Sequence, residues 1–61
     1  METIKQVLMR RDKMSAEEAD DIITEATREV QRCADNNDLQ GAEDVISDYF
    51  GLEPDFLMEL L

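Results

Sequence analysis

The chain has no histidine, no tryptophan, a single cysteine, a single proline and two glycines among its 61 residues. Three of these scarcities, of histidine, cysteine and glycine, close classes of function. Without histidine or a second cysteine the nitrogen and sulfur ligands of a structural zinc site are missing, and Cys33 has no partner for an intrachain disulfide. Cys33 also lacks an imidazole to activate it. Its expected place near a helix C-terminus disfavours the thiolate, so a small core residue is the expected role. Gly41 and Gly51 belong to no phosphate-cradling pattern. No uninterrupted apolar run exceeds three residues, as in Phe56–Met58, which is too short for a membrane span or an export signal. Glu2 stands where such a signal would be basic. The expectation is a soluble chain of the reduced cytoplasm.

Cations are the other scarcity. Sixteen acidic and six basic side chains give a net charge of −10. Residues 1–34 hold all six basic and eight of the acidic ones, a net of −2, whereas residues 35–61 hold eight acidic and no basic ones. Direct nucleic-acid binding is therefore disfavoured, because phosphate contacts need clustered Lys and Arg. The one basic neighbourhood, Lys5, Arg10, Arg11 and Lys13, is diluted by Glu2 and Asp12 and has no aromatic to stack on a base. Its expected role is to face the acidic C-terminal half. That half is either a solvated face or a surface that meets a basic partner, an anionic decoy being a special case of the second.

What the chain has in quantity is helix signal. Ser15 with Glu18 three residues on forms a capping box, and Ala19, Ile22, Ile23, Ala26, Val30, Cys33 and Ala34 recur at spacings of three and four. These predict one long amphipathic helix from Ser15 to about Ala34. Glu17, Glu18, Asp20 and Asp21 crowd its start and Arg28 and Arg32 lie near its end, as the helix dipole favours. Thr3 can cap a shorter first helix that turns Ile4, Val7 and Leu8 inward. Asn36-Asn37 reads as a turn, and Asp38 as the cap of a third helix running from Leu39 to about Phe50. Its buried stripe is Leu39, Ala42, Val45, Ile46, Tyr49 and Phe50. Gly51 then ends it as a left-handed residue, with Leu52 folding back. Pro54 suits the first position of a short fourth helix reaching Leu61, which is too apolar for a single stripe and must be held by packing.

Tests for chemistry return little. Aligned as an EF-hand loop from Asp35, the chain puts Leu39 at the fifth position, Gln40 where glycine is required and Ile46 at the bidentate position. A turn followed by an N-cap is the better reading. Carboxylate pairs such as Asp20/Asp21, Glu43/Asp44 and Asp55/Glu59 would need a cleft that drives their pKa values apart. A bundle of this size leaves little volume for one, so no catalytic residue, metal or cofactor is expected.

Ile4-Lys5 leading to Leu8-Met9 and Arg11, then Met14 to Asp20, then Asp48 to Phe56 resemble short acidic helical proteins of unassigned function encoded by tailed bacteriophages and prophages. The resemblance covers nearly the whole chain, but its motifs mark helix ends rather than a site, so it carries over no functional residue. It implies a context: an accessory protein in a bacterial host's cytoplasm.

The reading is an all-α single domain, a compact bundle of three main helices plus a short C-terminal helix. A thin core is expected at this length, since only about 60% of the unfolded surface is buried in so small a domain. It should include Ile4, Val7, Leu8, Ile22, Ile23, Ala26, Val30, Leu39, Val45, Ile46, Phe50, Leu57 and Leu60. The expected role is a non-enzymatic protein–protein interaction module, with Asp55, Phe56, Leu57, Glu59, Leu60 and Leu61 as the partner-binding residues. The alternatives are a structural homo-oligomer, such as a dimer formed through the same segment, and an acidic decoy of a nucleic-acid-binding protein.

Overall fold

A computed structural model describes residues 2–61 and consists of helices joined by short connections. Helix α1 spans Ile4–Arg11, α2 Ala16–Asp35 and α3 Leu39–Phe50, followed by a 3₁₀ helix at Pro54–Glu59. The fold is the expected all-α bundle. At 1.5 Å per residue the 20-residue α2 is about 30 Å long, which accounts for most of the molecule's 33 Å long dimension. Both α1 and α3 pack on α2, and the 3₁₀ helix packs on α3.

Local chemistry sets the helix starts. The Ser15 hydroxyl accepts the Glu18 N–H while the Glu18 carboxylate accepts the Ser15 N–H, a complete capping box. Thr3 does the same with Gln6, a second capping box with glutamine in place of glutamate. Asp38 accepts the Gly41 N–H at 2.9 Å. The end of α2 is more structured than a plain turn. Asn37 adopts a left-handed conformation (φ 56°), its N–H donates to the Ala34 carbonyl, and the Asp38 N–H donates to that of Cys33. This is a Schellman motif with asparagine in the place glycine usually takes. Asp38 thus closes one helix with its backbone and opens the next with its side chain. Gly51 ends α3 at φ 63° as expected, and the Leu52 N–H folds back toward the Ile46 carbonyl.

The central helix contributes small side chains to the core. Its fully buried residues are Ala19, Ala26 and Val30, which let the neighbouring helices approach closely. The larger groups, Ile4 and Leu8 from α1 and Ile46 and Phe50 from α3, pack over them. Ile22, Ile23 and Val45, expected in the core, flank it half-buried, and Ala42 is fully buried. Leu39 is a correction: it is 62% exposed. By helical angle it lies within roughly 20° of Ile46 and Phe50, on the inward stripe. A first-turn side chain, however, leans toward its own helix N-terminus. There it extends beyond the part of α3 that the other elements cover.

The C-terminal segment is a second correction of detail, a 3₁₀ rather than an α-helix that ends at Glu59 instead of Leu61. Six residues beginning with proline make few i→i−4 bonds in any case. With three residues per turn, side chains three apart eclipse. Leu57 and Leu60 therefore share one line and are buried, whereas Asp55, Met58 and Leu61 share another and are exposed. The apolar surplus is sorted by this register.

The basic neighbourhood pairs differently from the expectation. Among the described residues the ion pairs are Lys5–Asp20, Arg10–Glu2, Arg11–Asp12 and Arg32–Glu29, all within residues 1–34. Three of these pairs join near neighbours in sequence, and Lys5–Asp20 joins α1 to α2. One link does cross to the C-terminal half: Arg11 Nη2 donates to the Phe50 carbonyl at 2.5 Å, satisfying the end of α3 where the dipole favours a cation.

Candidate protein-docking surface

The partner-binding residues expected from sequence do not form one face. Leu57 and Leu60 are core side chains, 5% and 7% exposed, and cannot reach a partner while the bundle is folded. Phe56 is half-buried against the core. The Glu59 carboxylate accepts the Ile4 N–H at 3.2 Å, a first-turn donor of α1 that α1 itself leaves unpaired. That contact fixes the 3₁₀ helix to the start of α1 and puts a negative charge at the dipole's positive end. Asp55 and Leu61 remain exposed.

What these residues leave open are two shallow hollows beside the 3₁₀ helix. One, of about 360 Å³, lies between it and the start of α1, lined by Glu2, Thr3, Asp55, Phe56, Met58 and Glu59. The other, of about 260 Å³, lies where α2 ends and α3 begins, lined by Ala34, Asn37, Asp38, Leu39, Ala42 and Leu61. Four of its six lining residues are aliphatic. Leu39 and Leu61, 62% and 68% exposed, stand on this second hollow as unpartnered leucines. Sequence reasoning missed Leu39 because periodicity assigns it to the core. The overlooked signal is its position directly after a tight turn, where α2 has already ended and cannot cover it.

The electrostatics are one-sided. Of the eight carboxylates in residues 35–61, Asp38 caps α3, Asp44 accepts from Gln40 at 3.3 Å and Glu59 caps α1. Asp35, Glu43, Asp48, Glu53 and Asp55 meet no cationic side chain among the described residues. In the N-terminal part, by contrast, hydrogen bonds from Arg10 and Arg11 hold the carboxyls of Glu2 and Asp12 below the usual carboxylate range. Cys33 is half-buried, packed against the core where α3 begins close to α2. Gly41 makes this approach possible. A Cβ there would collide with the Asp38 carboxyl group and sit 3.1 Å from the Cys33 sulfur.

Among the described residues no cluster of three or more carboxylates or thiols is arranged to hold a metal ion, and no helix is long and apolar enough to cross a membrane. Fold and surface define a small all-α bundle whose ion pairs, among the described residues, lie in its N-terminal part and whose C-terminal part carries uncompensated acidic charge. A scan of protein-family models, a search of curated proteins and a search of solved structures each return no match to the chain.

Proposed function

We propose that the protein is a non-enzymatic accessory module, of the kind its phage-like sequence features suggest, that binds a basic surface of a host protein in the bacterial cytoplasm. The single observation supporting this is the segregation of charge. Residues 35–61 carry eight carboxylates and no cation, and the ion pairs among the described residues all close within residues 1–34. Uncompensated charge of one sign repels itself, and a basic partner relieves that repulsion while being steered toward the surface. The same charge disfavours self-association, because a two-fold contact through this half would set like charges against each other.

The test is capture of bacterial lysate proteins on the immobilised full chain at low and high salt. A triple variant Asp48→Asn, Glu53→Gln and Asp55→Asn is run in parallel. These three side chains are exposed and make no hydrogen bond among the described residues, so the fold should be unchanged. The expected result is a specific protein whose retention falls both with salt and in the variant. Retention indifferent to both would refute the acidic surface as the binding determinant.

A further inference from the structure

We infer that the hollow between the end of α2 and the start of α3 receives an apolar anchor side chain from a basic, amphipathic segment of a partner protein. The inference rests on the acidic-docking reading above and adds to it a place and a chemistry.

Leu39 continues the inward stripe of α3 past the point where this chain supplies anything to cover it. Leu61, just beyond the 3₁₀ helix, faces the same hollow, and Ala34 and Ala42 line it with methyl groups. At about 260 Å³ the space exceeds the ~150 Å³ cavity known to admit a benzene ring, so one leucine- or phenylalanine-sized side chain fits. Asp38 lies on the rim, and every ionisable side chain of residues 35–61 is acidic. An occupant must therefore combine an aliphatic or aromatic anchor with flanking Lys or Arg, the pattern of an amphipathic helix laid into a groove. A second copy of this chain presenting the same half fits poorly, since that half is equally acidic. The other hollow is the natural comparison. It exposes one large apolar side chain, Met58 at 82%, against the two exposed leucines of the first.

The probes are two synthetic helical peptides of equal charge, one with a row of leucines along a lysine-rich helix and one with serine in place of the leucines. Binding is followed by amide chemical-shift titration of the full chain, with Leu39→Asn and Met58→Asn variants. Both substitutions are at exposed positions, and unchanged melting temperatures confirm that the variants fold. The leucine peptide should bind more tightly than the serine peptide and shift Ala34, Leu39, Ala42 and Leu61 most. Leu39→Asn should weaken it about tenfold, the loss expected for withdrawing one largely exposed leucine from burial, and Met58→Asn should leave it unchanged. Equal binding of the two peptides, or loss with Met58→Asn but not Leu39→Asn, overturns the hollow and leaves the acidic surface standing. Binding of neither peptide at low salt overturns both. Concentration-dependent dimerisation that shifts the same four residues without peptide overturns the choice of occupant.

Discussion

Truncating Leu57 to alanine tests whether the 3₁₀ helix belongs to the core. Leu57 is 5% exposed and packs in the same cluster as Ile46 and Phe50. Leucine-to-alanine changes at buried sites cost about 2–5 kcal/mol, from lost transfer energy plus the cavity left behind. The lower part of that range, about 2–3 kcal/mol, applies here, because a short terminal element can settle into the space. A 61-residue domain has roughly 3–9 kcal/mol in total, at ~0.05–0.15 kcal/mol per residue. The variant should therefore lose a large share of its stability, with Tm falling by about 10–20 °C. Urea unfolding followed by far-ultraviolet circular dichroism measures this directly, the midpoint dropping while the slope is retained. Leu61→Ala, at a position 68% exposed, serves as the control and should change stability by no more than about 0.5 kcal/mol. Equal, small effects for the two would mean that the 3₁₀ helix is not docked on α3, and the division into buried Leu57/Leu60 and exposed Met58/Leu61 would be wrong.

Two further outcomes follow from particular contacts. Gly41→Ala should be nearly neutral alone, because about 1 kcal/mol gained in helix propensity is offset by about 1 kcal/mol lost when the new methyl group displaces the Asp38 cap. In an Asp38→Ala background, where no cap remains to be lost, the same change should stabilise by about 1 kcal/mol, provided the Cys33 sulfur yields a few tenths of an ångström; a double-mutant cycle by denaturant unfolding measures the coupling. Glu2 and Asp12 have carboxyls lowered by hydrogen bonds from Arg10 and Arg11, so their pairs support the fold above the ordinary carboxylate range, and that support is lost as pH falls through the lowered values. In an NMR titration, Arg10→Gln should move the Glu2 midpoint upward and leave that of Asp12 in place.

Much of the fold was legible in local chemistry because helix ends are decided within about four residues of sequence. Thr3, Ser15 and Asp38 cap the helices that the residue types predict, and Gly51 takes the left-handed turn that only a residue without Cβ adopts freely. The Schellman end at Asn37 was less legible, since asparagine in a turn is compatible with several backbone conformations. Charge segregation was plain from composition alone, while the pairing of each cation was not. Lys5 reaching Asp20 and Arg11 reaching the Phe50 carbonyl both depend on how the helices cross.

The sequence by itself determined the helix starts and the ends of α2 and α3, the lack of histidine and of a second cysteine, and the one-sided charge. These follow from residue identity and from interactions along the chain. Tertiary structure decided which apolar residues are covered. Periodicity assigns Leu39 a direction, but burial requires a neighbour in that direction, and α2 ends before it could supply one. In the C-terminal segment composition offers more apolar side chains than one stripe can hide. The 3₁₀ register, held by packing on α3 and by Glu59 on the Ile4 N–H, buries Leu57 and Leu60 and leaves Met58 and Leu61 at the surface.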